Sequence, residues 1–112
     1  MIEVTILDYL KTKTELPVYM EQPSDPPRCF YVLEKTGSTL ENHIYSSTFV
    51  VQSYADTMYN AACENEDIKQ IMLDDLIELS DIASVGLNSD YNFTDTSTKR
   101  YRYQAVFDIV HY

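Results

Sequence analysis

At 112 residues, 45% of them hydrophobic, the chain suits a single domain (1–112) with one core and is too apolar to be disordered. Eighteen acidic residues against eight basic ones give a formal net charge of -10. That charge repels nucleic acid and anionic membranes over most of the surface, though it allows a protein that surrounds DNA without gripping it.

Residues 2 to 13 carry two patterns. Ile2, Ile6 and Leu10 recur every fourth position beside Tyr9, which fits a helical face, while Ile2, Val4 and Ile6 also alternate as a strand would. The cations at the end, Lys11 and Lys13, favour the helix by complementing its dipole. Pro17 stops it. Val18 to Glu21 then reads as a short strand, and the Pro-rich stretch from Gln22 to Pro27 as a loop.

Arg28 to Lys35 alternates with Phe30 and Val32 on one face and Tyr31 and Leu33 on the other. Apolar groups on both faces predict a central strand. Thr36 to Asn42, polar around Gly37, reads as a hairpin loop, and His43 to Tyr54 as the antiparallel return strand. Asp56 is the expected N-cap of a long amphipathic helix reaching about Leu79, with Ala61, Ile68, Met72 and Leu76 among its inward positions. Ile82 to Asn88 reads as a strand, Ser89 to Thr98 as a polar loop, and Lys99 to Tyr112 as a closing strand. The order α-β-β-β-α-β-β predicts an α+β fold, a mainly antiparallel sheet of four to five strands with two helices on one face.

Chemistry-bearing patterns are scarce. Cys29 and Cys63 lie 34 positions apart without paired ligands, so buried free thiols are expected rather than a disulfide framework or zinc site. His43 and His111 stand in separate strands with no nucleophile motif around them. Two glycines supply no phosphate-cradling loop, and no EF-hand spacing occurs. No enzyme activity, metal or cofactor is expected. The sequon Asn92-Phe93-Thr94 has no secretory leader ahead of it, so synthesis and use in the cytoplasm are expected.

One asymmetry stands out. Lys99, Arg100 and Arg102 crowd three of the eight cations into four positions. Strand alternation sends Arg100, Arg102 and Gln104 to one face, opposite Tyr101, Tyr103, Phe107 and Ile109. Such a basic patch on an acidic protein fits a head-to-tail contact between unlike surfaces, or simply a solvated hairpin end. Ten tyrosines suit half-buried sheet faces and interfaces.

Several stretches together carry a family likeness: Pro17-Val-Tyr after the first helix, Pro26-Pro-Arg-Cys-Phe-Tyr-Val-Leu, the junction Phe49-Val-Val-Gln-Ser-Tyr-Ala-Asp, and Arg100-Tyr-Arg-Tyr-Gln-Ala-Val-Phe-Asp-Ile. With the element order, they make the chain resemble the tail terminator (tail-completion) proteins of long-tailed bacteriophages and prophages. The resemblance implies a structural virion protein of the head-tail junction that forms a hexameric ring on the tail tube, ends its polymerisation and meets the head connector. It implies the tube protein, the connector proteins and further copies of itself as partners, with DNA passing through, and no active-site residues. A head-completion or connector adaptor, or a small acidic protein-binding regulatory module, remains as an alternative.

Overall fold

The computed structural model describes residues 1–95, 97–98 and 100–112. Helix α1 spans Ile2–Lys13, followed by strands β1 (Val18–Tyr19), β2 (Phe30–Glu41) and β3 (Ile44–Ala55). Helix α2 (Met58–Gln70) runs on through a π-helical turn, Ile71–Asp75, and a 3-10 turn, Leu76–Glu78, before β4 (Ile82–Asn92) and β5 (Tyr101–His111). The sheet order is β1-β2-β3-β5-β4, with β1 parallel to β2 and every other pair antiparallel. This is an α+β fold with a mainly antiparallel sheet. Strands of 12 residues at roughly 3.3 Å each account for the 45 × 25 × 24 Å extents.

Both helices cover one face of the sheet. Ile6 and Leu10 of α1 meet Ile68, Met72 and Leu76 over Tyr31, Leu33, Phe49, Val51, Ala105, Phe107 and Ile109. Polar contacts fix the helices in place: Lys35 pairs with Glu3 at 3.3 Å, and the Tyr9 hydroxyl donates to the Asp75 carbonyl at 2.9 Å. The Tyr31 hydroxyl donates to the Glu64 carbonyl at 3.0 Å. Asp90 of β4 accepts from Asn65 at 3.0 Å and from Lys69 at 2.8 Å. The buried positions of the second helical segment, Ala61, Asn65, Ile68, Met72 and Leu76, explain its π turn. Two successive four-residue steps drift about 40° each around an α-helix, and the wider i→i+5 turn returns Met72 and Leu76 to the sheet.

Several boundaries differ from the sequence expectation. The segment 36–41, expected as a loop, extends β2, and the hairpin turns on two residues, Asn42 (φ 53°) and His43 (φ 66°). Positive φ at both is the turn geometry that matches strand twist. β4 continues to Asn92, four residues into the expected loop. Thr57, not Asp56, caps α2 by accepting from the Asn60 amide at 3.1 Å. Asp56 instead pairs with Arg28. β2 is flanked on both sides only at Tyr31 and Val32, because β1 is two residues long. Both cysteines are free, but Cys29 is half-buried and Cys63 exposed, not core thiols. Tyr101 and Tyr103 are half-buried rather than core.

β4, at one edge of the sheet, and β2, next to the short β1, are irregular. β4 shifts register between Ile82 and Ser84 and between Leu87 and Ser89, and β2 between Lys35 and Gly37. No helix is long and apolar enough to cross a membrane among the described residues.

Candidate interaction site on the open sheet face

The sheet face without helices carries its own small cluster at the end where β1 sits: Phe30, Val32 and Tyr54, with Tyr19 against them. Strand register builds it. Phe30 faces Tyr54 across the β2–β3 pair, and Tyr54 faces Arg102 across β3–β5. Phe30 and Tyr54 stack with centroids 4.5 Å apart and planes within 4°, and Tyr19 meets Phe30 edge-on at 5.8 Å.

The arginines complete this cluster. The Arg100 guanidinium lies 5.6 Å from the Phe30 ring centre and 5.7 Å from that of Tyr54. Arg102 lies 4.4 Å from Phe93 and 5.7 Å from Tyr54. Phe30 is fully shielded from solvent although no helix covers it. A guanidinium is weakly hydrated and planar, so it can lie on an aromatic face and still keep its edge in water.

Hydrogen bonds then run across the face in one direction. Arg102 donates through Nε to the Phe93 carbonyl at 2.7 Å and through Nη1 to the Tyr54 hydroxyl at 2.9 Å. Tyr54 donates to Gln52 at 3.1 Å, Gln52 to Gln104 at 3.0 Å, and Gln104 to the Tyr91 hydroxyl at 2.6 Å. The chain ends on Tyr91, whose own proton is left to donate outward. The guanidiniums therefore present donors only, while the Tyr91 hydroxyl can both donate and accept.

Charge makes that presentation unusual. Among the described residues Lys13, Arg28, Lys35 and Lys69 each have a carboxylate partner, while Lys11, on the helical side, and Arg100 and Arg102, on this face, have none. Tyr91 and Phe93, both exposed, meet edge to face at 5.9 Å beside the arginines. The sequence grouped Arg100, Arg102 and Gln104 on one face, and the structure places Arg102 and Gln104 there together with the rings under Arg100. Lys99, the third cation of that cluster, lies outside the described residues. The aromatic seats from β2 and β3 went unread, because nothing in the sequence states which strand residues stand opposite one another.

A second location also emerges only in three dimensions. His111 Nε2 lies 2.7 Å from the Ser47 hydroxyl, both buried, beside a cleft of about 450 Å³ lined in part by Glu3, Lys35, Tyr45 and Asp81. Tyr45 stacks on the imidazole at 5.1 Å. The other ring nitrogen meets the Tyr112 carbonyl at 3.4 Å rather than a carboxylate, so the pair lacks the orienting acid of a nucleophilic triad. It ties the ends of β3 and β5 together. His43, by contrast, sits alone in the hairpin turn. Among the described residues no three His, Cys, Asp or Glu side chains gather as metal ligands.

No protein-family model matches the chain, and no characterised protein matches its sequence.

Proposed function

We propose that this protein is a non-enzymatic virion component that caps a phage tail tube as a ring, ends its polymerisation and forms the tail side of the head-tail junction. It is assembled in the host cytoplasm and carried into the particle. The observation that carries this reading is the platform of Arg100 and Arg102, two guanidiniums seated on aromatic rings without a carboxylate partner, on a chain of net charge -10. A ring requires each subunit to show two unlike, complementary patches. A platform of seated guanidiniums and exposed aromatic rings, set against an otherwise acidic surface, supplies one such patch and has the composition of interface centres. The acidic remainder suits a conduit, since carboxylates around a channel repel phosphate and let DNA pass without adhering. The resemblance to tail terminators names the polymer on which such a ring would sit.

The test is tube capping. Purified protein added to growing tubes of its cognate tail tube protein should leave tubes with one blunt, decorated end and a narrowed length distribution in electron micrographs. Tubes that keep growing undecorated at saturating protein would remove the reading.

A further inference from the structure

We infer that the Arg100–Arg102 platform docks on the helical layer of a second copy of this chain, with Asp67 and Asp74 as the receiving carboxylates. The inference rests on the ring reading above and names the contact that would build it.

The donor side is prepared for carboxylates. Arg102 has two of its N–H groups committed to Tyr54 and Phe93, and both guanidiniums lie on ring faces. Arg102 is thus held before binding and has little side-chain freedom left to lose, while Arg100 rests on its rings without a hydrogen bond. A planar guanidinium so held offers parallel N–H donors that a carboxylate accepts in pairs.

The helical layer offers the complement. Segments 2–15 and 58–81 hold ten of the eighteen carboxylates but three of the eight cations. Two of those cations are neutralised, Lys13 by Glu78 and Lys69 by Glu66 and Asp90. Asp67 and Asp74 are exposed, have no cation partner among the described residues, and line one shallow groove with Glu66, Gln70, Leu73, Leu87 and Lys69, the last already paired with Glu66 and Asp90. They stand about 10 Å apart along the helical axis. The two arginine α-carbons, two positions apart on a strand, are separated by about 7 Å. The Arg100 stem, which no hydrogen bond holds, spans that difference. Leu73 and Leu87 give the exposed Tyr91 and Phe93 rings apolar surface to cover. Because donors lie on the open sheet face and acceptors on the helical layer, one copy cannot satisfy itself, and the contact repeats head to tail.

Charge reversal on both sides tests it. Sedimentation velocity over a rising concentration series, with and without tail tubes, should show self-association of R100E/R102E weakened about tenfold or more. D67R/D74R should be weakened alike. All four changes in one chain should restore association, since every swapped pair lies between copies. The neutral D67N/D74N variant leaves the arginine-aromatic cluster intact, and should associate more weakly with an unchanged circular dichroism spectrum. Association of D67N/D74N equal to wild type, or no recovery in the quadruple variant, overturns the inference. So does a wild-type protein that is monomeric in both settings, or arginine-dependent retention of labelled single-stranded DNA with self-association unaltered. Capping of tubes by D67N/D74N as well as by wild type removes this contact and leaves the ring. Wild type that follows the charge-swap pattern without capping tubes removes the capping reading and leaves the contact.

Discussion

Glu64 and Asp90 hold neighbouring parts of the same helix to the sheet but respond to pH in opposite senses. Burial, reinforced by the charges of Asp56 and Asp67, raises the Glu64 carboxyl from 4.5 to about 7, while the Cys29 thiol beside it pulls the other way. One of its oxygens is buried with no partner. The folded state thus holds this proton more tightly than the unfolded chain does. The resulting stability is fully present below about pH 4.5 and is lost as pH rises toward 7. The hydrogen bond from Lys69 lowers Asp90, aided by Asn65. Its contribution is present above the ordinary aspartate range and is lost in acid. Glu64→Gln, which keeps the shape and removes the charge, should therefore stabilise the protein at pH 8 and change little at pH 4. Solvent access to the half-buried group reduces the gain to about 1 kcal/mol. Urea titrations at the two pH values check it, and equal shifts at both would show that the carboxyl is already neutral or already hydrated. Neither behaviour could be read from Glu64-Asn-Glu66-Asp67, which looks like a solvated acidic run until β2 is laid against it.

At the scale of elements, amphipathic patterns located the helices, β3 and β5, and the first part of β2 and β4. Ala105 to Ile109 alternates because one face lies under helices, while Phe30 to Leu33 and Phe49 to Val51 are apolar throughout because both faces are covered there. The pattern fails where that cover ends. Residues 36–41 belong to a strand exposed on both faces, so Thr-Gly-Ser-Thr-Leu-Glu has no apolar rhythm to betray it. The turn is also disguised, because Asn-His takes the place of the usual Asn-Gly. A left-handed backbone costs a residue with a β-carbon about 1–2 kcal/mol, and asparagine tolerates it better than histidine does. His43→Gly should raise stability by about 0.5–1 kcal/mol, the strain relieved minus the freedom gained by the unfolded chain. The gain should appear as a higher denaturant midpoint with an unaltered slope. A lower midpoint would mean that the imidazole makes a contact outweighing its backbone strain. The site divides in the same way. Arginine and glutamine alternation was visible in the sequence, whereas two of the three rings that seat the arginines, Phe30 and Tyr54, come from distant strands, β2 and β3.

Across the whole molecule, the sheet ends in two strands whose outer sides are open: β4 along its length, and β2 beyond its short pairing with β1. Each contains a bulge, at Thr36 in β2 and at Ala83 and Asn88 in β4. An unpaired strand is a template for another chain, and a bulge twists its donors and acceptors out of line. This has a particular meaning for a molecule proposed to end a polymer. A terminator with straight borders would itself seed a fibre, laying sheet upon sheet without limit, and so would propagate the growth it exists to halt. The kinks at Ala83 and Asn88 deny a newcomer a flush border, which under the proposed role would keep the cap from propagating growth. Deleting Asn88 keeps all the β4–β5 partners on either side and straightens that border. The variant should fold, then form thioflavin-positive fibres at concentrations where wild type stays clear, while one that stays clear would place the protection in the acidic charge of the molecule instead.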